Sequence, residues 1–391
     1  MVFVVGFIRL SSRQGVQPVE VNVSFPTIDD VKSLIFGTEQ DLEPDSVRQL
    51  TEPELELIHA VQISPRASWS EVGHALGIDA STAARRWKRL EHRGLAWVMG
   101  YSDEQSGAVM YGRIKCDSSA IREVGAALAA APWTFMVQRT DGRYDYFVAV
   151  ALTSATHADA FILTVAAMRG VTDVAMVTLL HTFHDGTTWE PGVLTNPIPR
   201  DGFVEFSSSR RRRTPLSDRD RSLIDALGRD GRASFTELAA AAGISEATVR
   251  RRIGALQSEH RLHMRCDISQ TAAGWPLTML AMLAVDEDPA EFARSIVRRS
   301  ETRLVVATTG DHQLLTQFWL RTPAEGYALQ RRLWGTGRGV RAVDTVMITR
   351  QIKRMSRLFG PDGSAVGFVG FEPFTAAHPS LRRAMAVTDS H

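Results

Sequence analysis

The sequence has little cysteine, no long apolar run and almost no excess of charge. Cys116 and Cys266 are the only cysteines, and they form no CxxC pair. A disulfide framework is therefore not expected, and this cysteine usage is typical of a reducing cytoplasm. No run of about 18 apolar residues occurs, which argues against a membrane-spanning helix. The apolar start at residues 1–8 has no basic leader and no clear cleavage site, so we expect no signal peptide.

Motifs for common enzyme chemistry are also missing. There is no phosphate-binding loop, no recognisable motif of paired catalytic carboxylates and no Ser–His–Asp pattern. His181 and His184 form an HxxH, but residues i and i+3 of a strand point to opposite faces, so we expect no metal site and no cofactor. With 44% hydrophobic and 23% charged residues, the chain of 391 residues has the composition of an ordinary globular protein. Its net charge of +1 excludes no partner, whereas the distribution of charge is informative.

The chain contains an internal repeat. Sliding the sequence by 166 residues places Leu50 on Leu216, and 15 of the 41 positions from Leu50 to Leu90 are then identical. Composition alone gives far fewer identities. We therefore expect two modules, which together account for most of the chain.

Three segments fall outside the two modules. Residues 186–215 combine Gly, Pro and Ser with a run of four arginines and have no apolar period, which is typical of a linker. The terminal ranges 1–46 and 359–391 are expected to be poorly ordered tails. The functional chain could begin as late as Val47.

The first part of each module, residues 47–100 and 216–267, predicts three helices. Apolar residues recur there at helical spacing, and Ser or Thr followed by acidic residues marks the helix starts. Gly77 and Gly243 end the second helix of each set, as a left-handed turn residue does. Three helices with a glycine turn before the last predict a helix-turn-helix, whose third helix lies in the major groove of DNA.

The third helix of each module has an apolar face and, opposite to it, a face of basic and hydroxyl residues. Arginine matches guanine edges and phosphates, and hydroxyl groups bond to phosphates or bases. We therefore expect these side chains to bind double-stranded DNA: Ser81, Thr82, Arg85, Arg86 and Arg89 in module one, and Thr248, Arg250, Arg251 and Arg252 in module two. The alternative is a solvated basic surface, but recurrence of the same residue types after both predicted turns favours DNA.

The second part of each module, residues 107–185 and 275–358, predicts the order β-α-β-β-α-β. This order is typical of a ferredoxin-like domain, whose sheet has helices on one face and leaves the other face open. The predicted fold class is therefore α+β, with two tandem modules, each a winged-type helix-turn-helix followed by a ferredoxin-like βαββαβ domain. An open apolar face needs a partner, so we expect the two sheets to pair within one chain as a pseudo-dimer, from which larger homo-oligomers could form.

These features resemble the Lrp/AsnC (leucine-responsive/asparagine regulator) family. The stretch WSEVGHALGIDASTAARRWKRLE from Trp69 is similar to the DNA-binding half of that family, and FTELAAAAGISEATVRRRI from Phe235 resembles it at least as well. Ordinary members have one module and dimerise through the sensing sheet, so this chain resembles two members fused. The resemblance implies a sequence-specific transcriptional regulator in the cytoplasm, with an amino acid as candidate effector and no catalytic activity.

In that family the loop after the second sensing strand carries a Thr-Gly-x-x-Asp motif, near which effector amino acids bind. Module one reads TDGRYD from Thr140, with one extra residue, and module two reads TGDHQ from Thr309, without the final Asp. The resemblance therefore implies these sensing residues: Thr140, Gly142 and Asp145 in module one, and Thr309, Gly310 and Asp311 in module two. The alternative is a pair of plain hairpin turns, because Asp-Gly and Gly-Asp are turn dipeptides.

Two other functions stay open. Sirohaem decarboxylases resemble the same family, but they carry His-Asn-Tyr-x-Arg and Asn-Leu-Trp-Phe-Thr stretches, where this chain reads VQRTDGRYDY from Val137. A sensing or assembly protein that has lost DNA binding in one or both modules is the third hypothesis. The regulator is preferred, and because Arg89 and Ser81 in one module correspond to Ala255 and Ala247 in the other, we predict unlike half-sites.

Overall fold

The computed structural model describes residues 26–37, 49–102, 106–186, 216–334 and 339–376. Its helices are α1 (Ile28–Phe36), α2 (Glu52–Ile63), α3 (Trp69–Leu76), α4 (Ala80–His92), α5 (Ile121–Ala130), α6 (Ala158–Ala166), α7 (Asp218–Arg229), α8 (Phe235–Ala242), α9 (Glu246–Ser258), α10 (Pro289–Ile296) and α11 (Pro323–Trp334). Its strands are β1 (Ala96–Tyr101), β2 (Ala108–Cys116), β3 (Thr134–Thr140), β4 (Tyr146–Leu152), β5 (Val171–His184), β6 (His263–Ile268), β7 (Leu277–Val285), β8 (Thr302–Thr308), β9 (Leu314–Leu320), β10 (Val340–Arg354), β11 (Arg357–Phe359) and β12 (Ala365–Phe368). None of the helices in the described part of the chain has the length and apolar character needed to span a bilayer.

Each module begins with the expected three-helix bundle. We call α2–α4 with β1 head one, and α7–α9 with β6 head two. A capping box fixes the start of α3: the Glu71 N–H donates to Ser68 Oγ, and the Ser68 N–H donates to the Glu71 carboxylate. Helix α8 begins in the same way. Gly77 and Gly243 end α3 and α8 in the left-handed conformation, at φ 66° and 62°, which turns the chain into the third helix.

A two-stranded antiparallel ribbon joins the two heads. Strand β1 pairs with β6, starting with Ala96 opposite Ile268. At the centre of the ribbon Met99 lies opposite Arg265, and these are equivalent positions of the repeat. A pseudo-twofold axis therefore passes through the ribbon, and the wing expected on each helix-turn-helix is shared between the heads.

The sensing domains are two ferredoxin-like sheets whose last strands cross into the other module. The first half of β5 pairs with β2, and its second half pairs with β8 of module two. Strand β10 likewise pairs first with β7 and then with β3 of module one. The strand order β3–β4–β2–β5–β8–β9–β7–β10 therefore returns to β3, while the β11–β12 hairpin extends from β10.

The open faces of the two sheets cover each other within the chain. Tyr111 and Phe147 of module one share a buried cluster with Leu280 and Leu304 of module two. The other face of each sheet packs on its own helices. This internal pairing buries apolar surface that a single module would leave in water.

Residues 1–46 were expected to be a poorly ordered tail, and this is wrong for the part that the structure describes. Helix α1 packs on α5, and its Val31 and Ile35 are fully buried in the core of module one. The Lys32 ammonium also pairs with the Glu123 carboxylate of α5. The repeat could not reveal this helix, because it lies before Leu50, the first residue of the aligned repeat.

The expectation of a poorly ordered tail at 359–391 is also wrong for its described residues. After the β11–β12 hairpin the chain returns to module one, where Phe374 is fully buried. Its ring makes edge-to-face contacts with Trp133 and Phe161, at centroid distances of 6.2 and 5.3 Å. The expected linker, residues 186–215, lies outside the described residues except for its first residue.

Candidate DNA-binding faces and effector loops

Helix α4 presents the predicted basic face on the outside of head one. Its inner face consists of the buried Ala83, Trp87 and Leu90, at the i, i+4, i+7 spacing of an amphipathic helix. Gly73 of α3 permits a close approach, since a Cβ there would lie 2.5 Å from the carbonyl oxygen of Ile78 in the turn before α4. The predicted DNA-binding side chains lie on the outer side: Ser81, Arg85 and Arg89 are exposed, and Thr82 and Arg86 are half-buried.

Helix α9 presents a smaller basic surface on head two. Arg250 and Arg251 are exposed, whereas Thr248 is half-buried and its N–H donates to Ser245 Oγ at the start of the helix. The Arg250 guanidinium lies over the Phe235 ring, 3.8 Å from its centroid. Arg251, the repeat equivalent of Arg85, is therefore the arginine of α9 that corresponds in position and exposure to a predicted DNA-binding arginine of head one.

Arg252 was predicted to bind DNA, but the structure gives it an ion-pair partner inside head two. Its Nε lies 2.9 Å from Asp220 Oδ1, and its Nη2 lies 2.5 Å from Asp220 Oδ2. Burial alone would raise the pKa of Asp220, yet the hydrogen bonds from Arg252 and Ser217 hold this pKa below its usual range. Only 2% of the Asp220 side chain is exposed, so Arg252 neutralises a buried carboxylate between α7 and α9.

The two predicted effector loops have the same length, which corrects their alignment. The Thr140 N–H donates to the Asp145 carbonyl, and the Thr308 N–H donates to the Gln313 carbonyl, each at 3.1 Å. Thr140 therefore corresponds to Thr308 rather than to Thr309, and module one has no extra residue. We call residues 141–145 loop one and residues 309–313 loop two.

The last residue of each loop fastens the loop to the first strand of its own sheet. The Cys116 N–H donates to Asp145 Oδ2 at 2.8 Å, and the Val285 N–H donates to Gln313 Oε1 at 2.9 Å. Burial alone would raise the pKa of Asp145, but the bond from Cys116 and the charges of Lys115 and Arg139 hold it below its usual range. Asp145 therefore has a structural role, which the amide of Gln313 fills in module two.

The first residue of each loop bonds to the long strand of the other module. The Met347 N–H of β10 donates to Asp141 Oδ1 at 2.8 Å, and the Thr178 N–H of β5 donates to Thr309 Oγ1 at 2.9 Å. The structure thus brings both loops to the junction between the modules. The other predicted effector residues lie in the same two loops: Gly142 of loop one is half-buried, and Gly310 and Asp311 of loop two are exposed.

Loop one faces a charged pair that the sequence reasoning missed. Arg113 Nη1 of β2 lies 2.9 Å from Asp344 Oδ2 of β10, and the guanidinium lies over the Tyr144 ring at 4.9 Å. In the strand registers Arg113 of β2 lies opposite Ala175 of β5, and Met282 of β7 lies opposite Asp344 of β10. Met282 is therefore the equivalent of Arg113 in the other module, and Ala175 is the equivalent of Asp344. Nothing local in the sequence marks the pair, because its members are separated by 231 residues and belong to different modules.

Comparison with known proteins identifies the domains. The AsnC-type helix-turn-helix domain matches residues 54–91 and again residues 216–257, and the Lrp/AsnC ligand-binding domain matches residues 110–189. The HTH-type transcriptional regulator LrpA of Pyrococcus abyssi is 29% identical over 110 residues, which are 27% of this chain and 77% of that protein. The regulator FL11 of the same organism is 24% identical over 148 residues, which are 37% of this chain and 97% of that protein.

A solved structure shares the fold over both modules. The siroheme decarboxylase NirDL superposes with a TM-score of 0.55 at 13% identity, covering 86% of this chain and 99% of that one. At this identity the likeness concerns the fold alone. The matched domains are more specific: the chain contains two AsnC-type helix-turn-helix domains and a Lrp/AsnC ligand-binding domain, and it is a DNA-binding transcriptional regulator.

Proposed function

We propose that one chain binds a composite operator made of two unlike half-sites. The observation that carries this proposal is the joining of two different heads through the β1–β6 ribbon. A homodimer of one-module chains presents two identical recognition helices, and its operator therefore tends to be a palindrome. Here Arg89 of α4 is replaced by Ala255 in α9, and Ser81 by Ala247, so the two helices offer different groups to the bases.

Head one makes the larger set of base contacts in this proposal. Arg85 and Arg89 are exposed on α4, and each good bidentate contact to a base is worth about 1–3 kcal/mol. Arg251 takes the place of Arg85 on α9. Arg252 supports head two through its ion pair with Asp220 and contributes charge to the same surface.

Selection of bound duplexes from a random pool tests the proposal. We expect one asymmetric motif, with an affinity that falls steeply with salt, because each neutralised phosphate contributes about −0.9 to the slope of log K against log salt. Arg85→Ala should relax the specificity of one half of the motif, and Arg251→Ala that of the other half. A perfect palindrome as the sole product, bound by a protein that light scattering shows to be a single chain, would contradict the proposal.

We further propose that loop one, and not loop two, is the site of an amino-acid effector. A zwitterionic amino acid needs a cation for its carboxylate and an anion for its ammonium group. Arg113 and Asp344 supply both charges and line one cavity with Thr140 and Tyr144 at loop one. Their equivalents Met282 and Ala175 are uncharged, so the only such pair near loop two among the described residues is this same pair, which also acts on His312. Thr140 and Val346 line the same cavity as this charged pair, and its volume of about 10 Å³ is too small for an amino acid. Loop one therefore has to move outward to admit a ligand.

Calorimetric titration with each of the common amino acids tests this assignment. One molecule should bind per chain, and Arg113→Met, which copies the residue of the other module, should abolish the binding heat. Met282→Leu is the matched control at the equivalent position, and it should leave the affinity unchanged. Two sites of equal affinity per chain, or unchanged binding by Arg113→Met, would count against loop one.

We also propose that the chain carries no decarboxylase activity. The support is the chain's own sequence at residues 137–146, which departs from the stretches that the resemblance to sirohaem decarboxylases would require. Incubation with an iron tetrapyrrole followed by gel filtration tests this directly. A porphyrin absorbance band that travels with the protein, together with loss of carboxyl groups from the tetrapyrrole, would contradict the proposal.

A further inference from the structure

Two arginines at equivalent positions of the repeat link the heads beside the ribbon, where the Gly231 N–H also donates to the Val98 carbonyl of β1 at 2.9 Å. Arg66 lies in the α2–α3 turn of head one, and Arg232 lies in the α7–α8 turn of head two. Arg66 donates from Nη1 to the carbonyl of Gly231 at 2.5 Å and from Nη2 to that of Ala233 at 2.9 Å. Each bond therefore joins the turn before α3 to the turn before α8.

The second arginine makes the reciprocal hydrogen bonds, from head two to the turn of head one. Arg232 donates from Nη1 to the carbonyl of Pro65 at 2.6 Å and from Nη2 to that of Ala67 at 2.7 Å. The four bonds are related by the same pseudo-twofold axis that passes through the ribbon. We call Arg66 and Arg232 with their four carbonyl partners the arginine clasp.

Aromatic rings hold each guanidinium in place. The Arg232 guanidinium lies 3.9 Å from the centroid of Trp69, and that of Arg66 lies 5.1 Å from the centroid of Phe235. These rings are the first residues of α3 and α8, and the Phe235 ring also carries Arg250 of the recognition helix α9. The clasp is therefore connected by direct contact to the DNA-binding surface of head two.

The chemistry of the clasp requires arginine. A guanidinium presents two parallel N–H groups, which match two carbonyls of alternate residues, whereas a lysine ammonium is a single point of attachment. Both side chains are partly buried, and burial is the main cause that lowers the pKa of Arg66 and of Arg232, although both stay charged. The nearby Asp230 carboxylate offsets part of the repulsion between the two cations.

We propose that Arg66 and Arg232 are positioning residues that set the separation and orientation of the two recognition helices, and hence the spacing between half-sites. This inference rests on the proposed composite operator. A two-stranded ribbon alone can twist, whereas the four bonds between the turn before α3 and the turn before α8 attach the helices themselves and restrict that twist. A fixed head-to-head geometry selects half-sites on one face of the duplex, about one helical turn or a multiple apart.

The experiment measures affinity against spacing. The two half-sites returned by selection are placed on a duplex series in which the spacer is changed one base pair at a time through a full turn. Wild-type protein should show one sharp optimum, since simultaneous engagement of both heads raises affinity about 10²–10⁴-fold over a single half-site and bad geometry abolishes this gain. Arg66→Ala/Arg232→Ala should flatten the profile, lowering affinity at the optimum at least tenfold and leaving affinity for each isolated half-site unchanged.

Two controls separate spacing from general loosening. Arg66→Lys/Arg232→Lys keeps both charges but not the paired bonds, so its profile should lie between the other two. Phe374→Leu weakens the core of module one far from the clasp and should keep the wild-type optimum at equal or lower stability. A wild-type spacing profile in the folded double alanine variant would overturn the proposal, whereas failure of the wild-type protein to bind any duplex would instead overturn the composite operator.

Discussion

Replacing Asp267 with asparagine should loosen the contact between the heads and the sensing sheets. Asp267 belongs to the ribbon strand β6, and Arg354 ends strand β10. Arg354 Nε lies 3.1 Å from Asp267 Oδ2, its Nη2 lies 3.2 Å from Oδ1, and the same Nη2 donates to the carbonyl of Ile268 at 2.6 Å. Arg265 adds an ion pair at 3.7 Å. Only 2% of the Asp267 side chain is exposed.

The expected cost follows from this burial. Asp267→Asn removes the negative charge but leaves Arg354 and Arg265 buried beside a neutral amide. Breaking a buried ion pair by removing one partner costs about 3–5 kcal/mol of the free energy of unfolding. We expect a loss of stability at the lower end of that range, because about a tenth of each arginine side chain stays exposed and water weakens the ion pairs there.

The pH dependence of stability provides a second, independent test of this prediction. Burial alone would raise the pKa of Asp267, but Arg354, Arg265 and Arg303 hold it below its usual range. A carboxyl whose pKa is lowered by folding stabilises the fold above its unfolded pKa of about 3.9, and this contribution is lost as pH falls through the folded value. The difference between wild type and Asp267→Asn should therefore be complete at neutral pH and shrink below pH of about 4.

Urea unfolding followed by tryptophan fluorescence measures both effects. The slope of the free energy against urea should stay unchanged, so that the shift in midpoint reports stability alone. Glu287→Gln is a matched control, because this carboxylate is exposed and its loss should change stability by no more than about 0.5 kcal/mol. A loss below about 1 kcal/mol for Asp267→Asn at neutral pH would refute the reasoning that this ion pair secures the heads.

Three further predictions test other parts of the structure. Arg252→Ala should lower stability by about 1–3 kcal/mol, because it removes the ion-pair partner of a buried carboxylate. Arg251→Ala should keep stability and relax the specificity of one half of the operator, so equal melting temperatures of the two variants would contradict the structural role of Arg252. Phe374→Ala should cost about 3–5 kcal/mol in urea unfolding, as expected for a buried aromatic residue, and a loss under about 1 kcal/mol would mean that the C-terminal segment is dispensable. Gly142→Ala should strengthen effector binding in calorimetry, because a Cβ there would lie 2.3 Å from Cγ1 of Val346 in the closed loop and would favour the outward position that admits a ligand. Unchanged affinity would count against loop one.

The heads were predictable because their signals are local. Capping residues, a glycine with positive φ and an apolar stripe every three or four residues specify each helix from its own neighbourhood, and the repeat shows the same pattern twice. The order of the sensing elements was predictable for the same reason. The Lrp/AsnC-type domains and the DNA-binding function followed from these patterns and are confirmed by the matched domains.

What the sequence did not reveal depends on contacts between distant residues. Helix α1 and Phe374 pack on module one from the two ends of the described chain, and no periodicity connects them to it. The structural role of Arg252 depends on Asp220, which lies on another helix. The ion pair between Arg113 and Asp344 joins strands from different modules, and only the register of the closed sheet brings them together.

Comparing the two modules position by position separates framework from function. The repeat has arginine at both clasp positions, 66 and 232. Each arginine donates to carbonyls in the turn of the other head, so a change in either one would leave those carbonyls without this donor. The modules differ at surfaces where a ligand or DNA would bind. The charged Arg113 corresponds in position to Met282 of the other module, and α9 has Ala255 where α4 has Arg89. An internal pair allows this divergence, because each half can change without imposing the same change on its partner, as a homodimer would. The symmetric framework and the unlike surfaces together are what a regulator needs to read an asymmetric operator with a single chain.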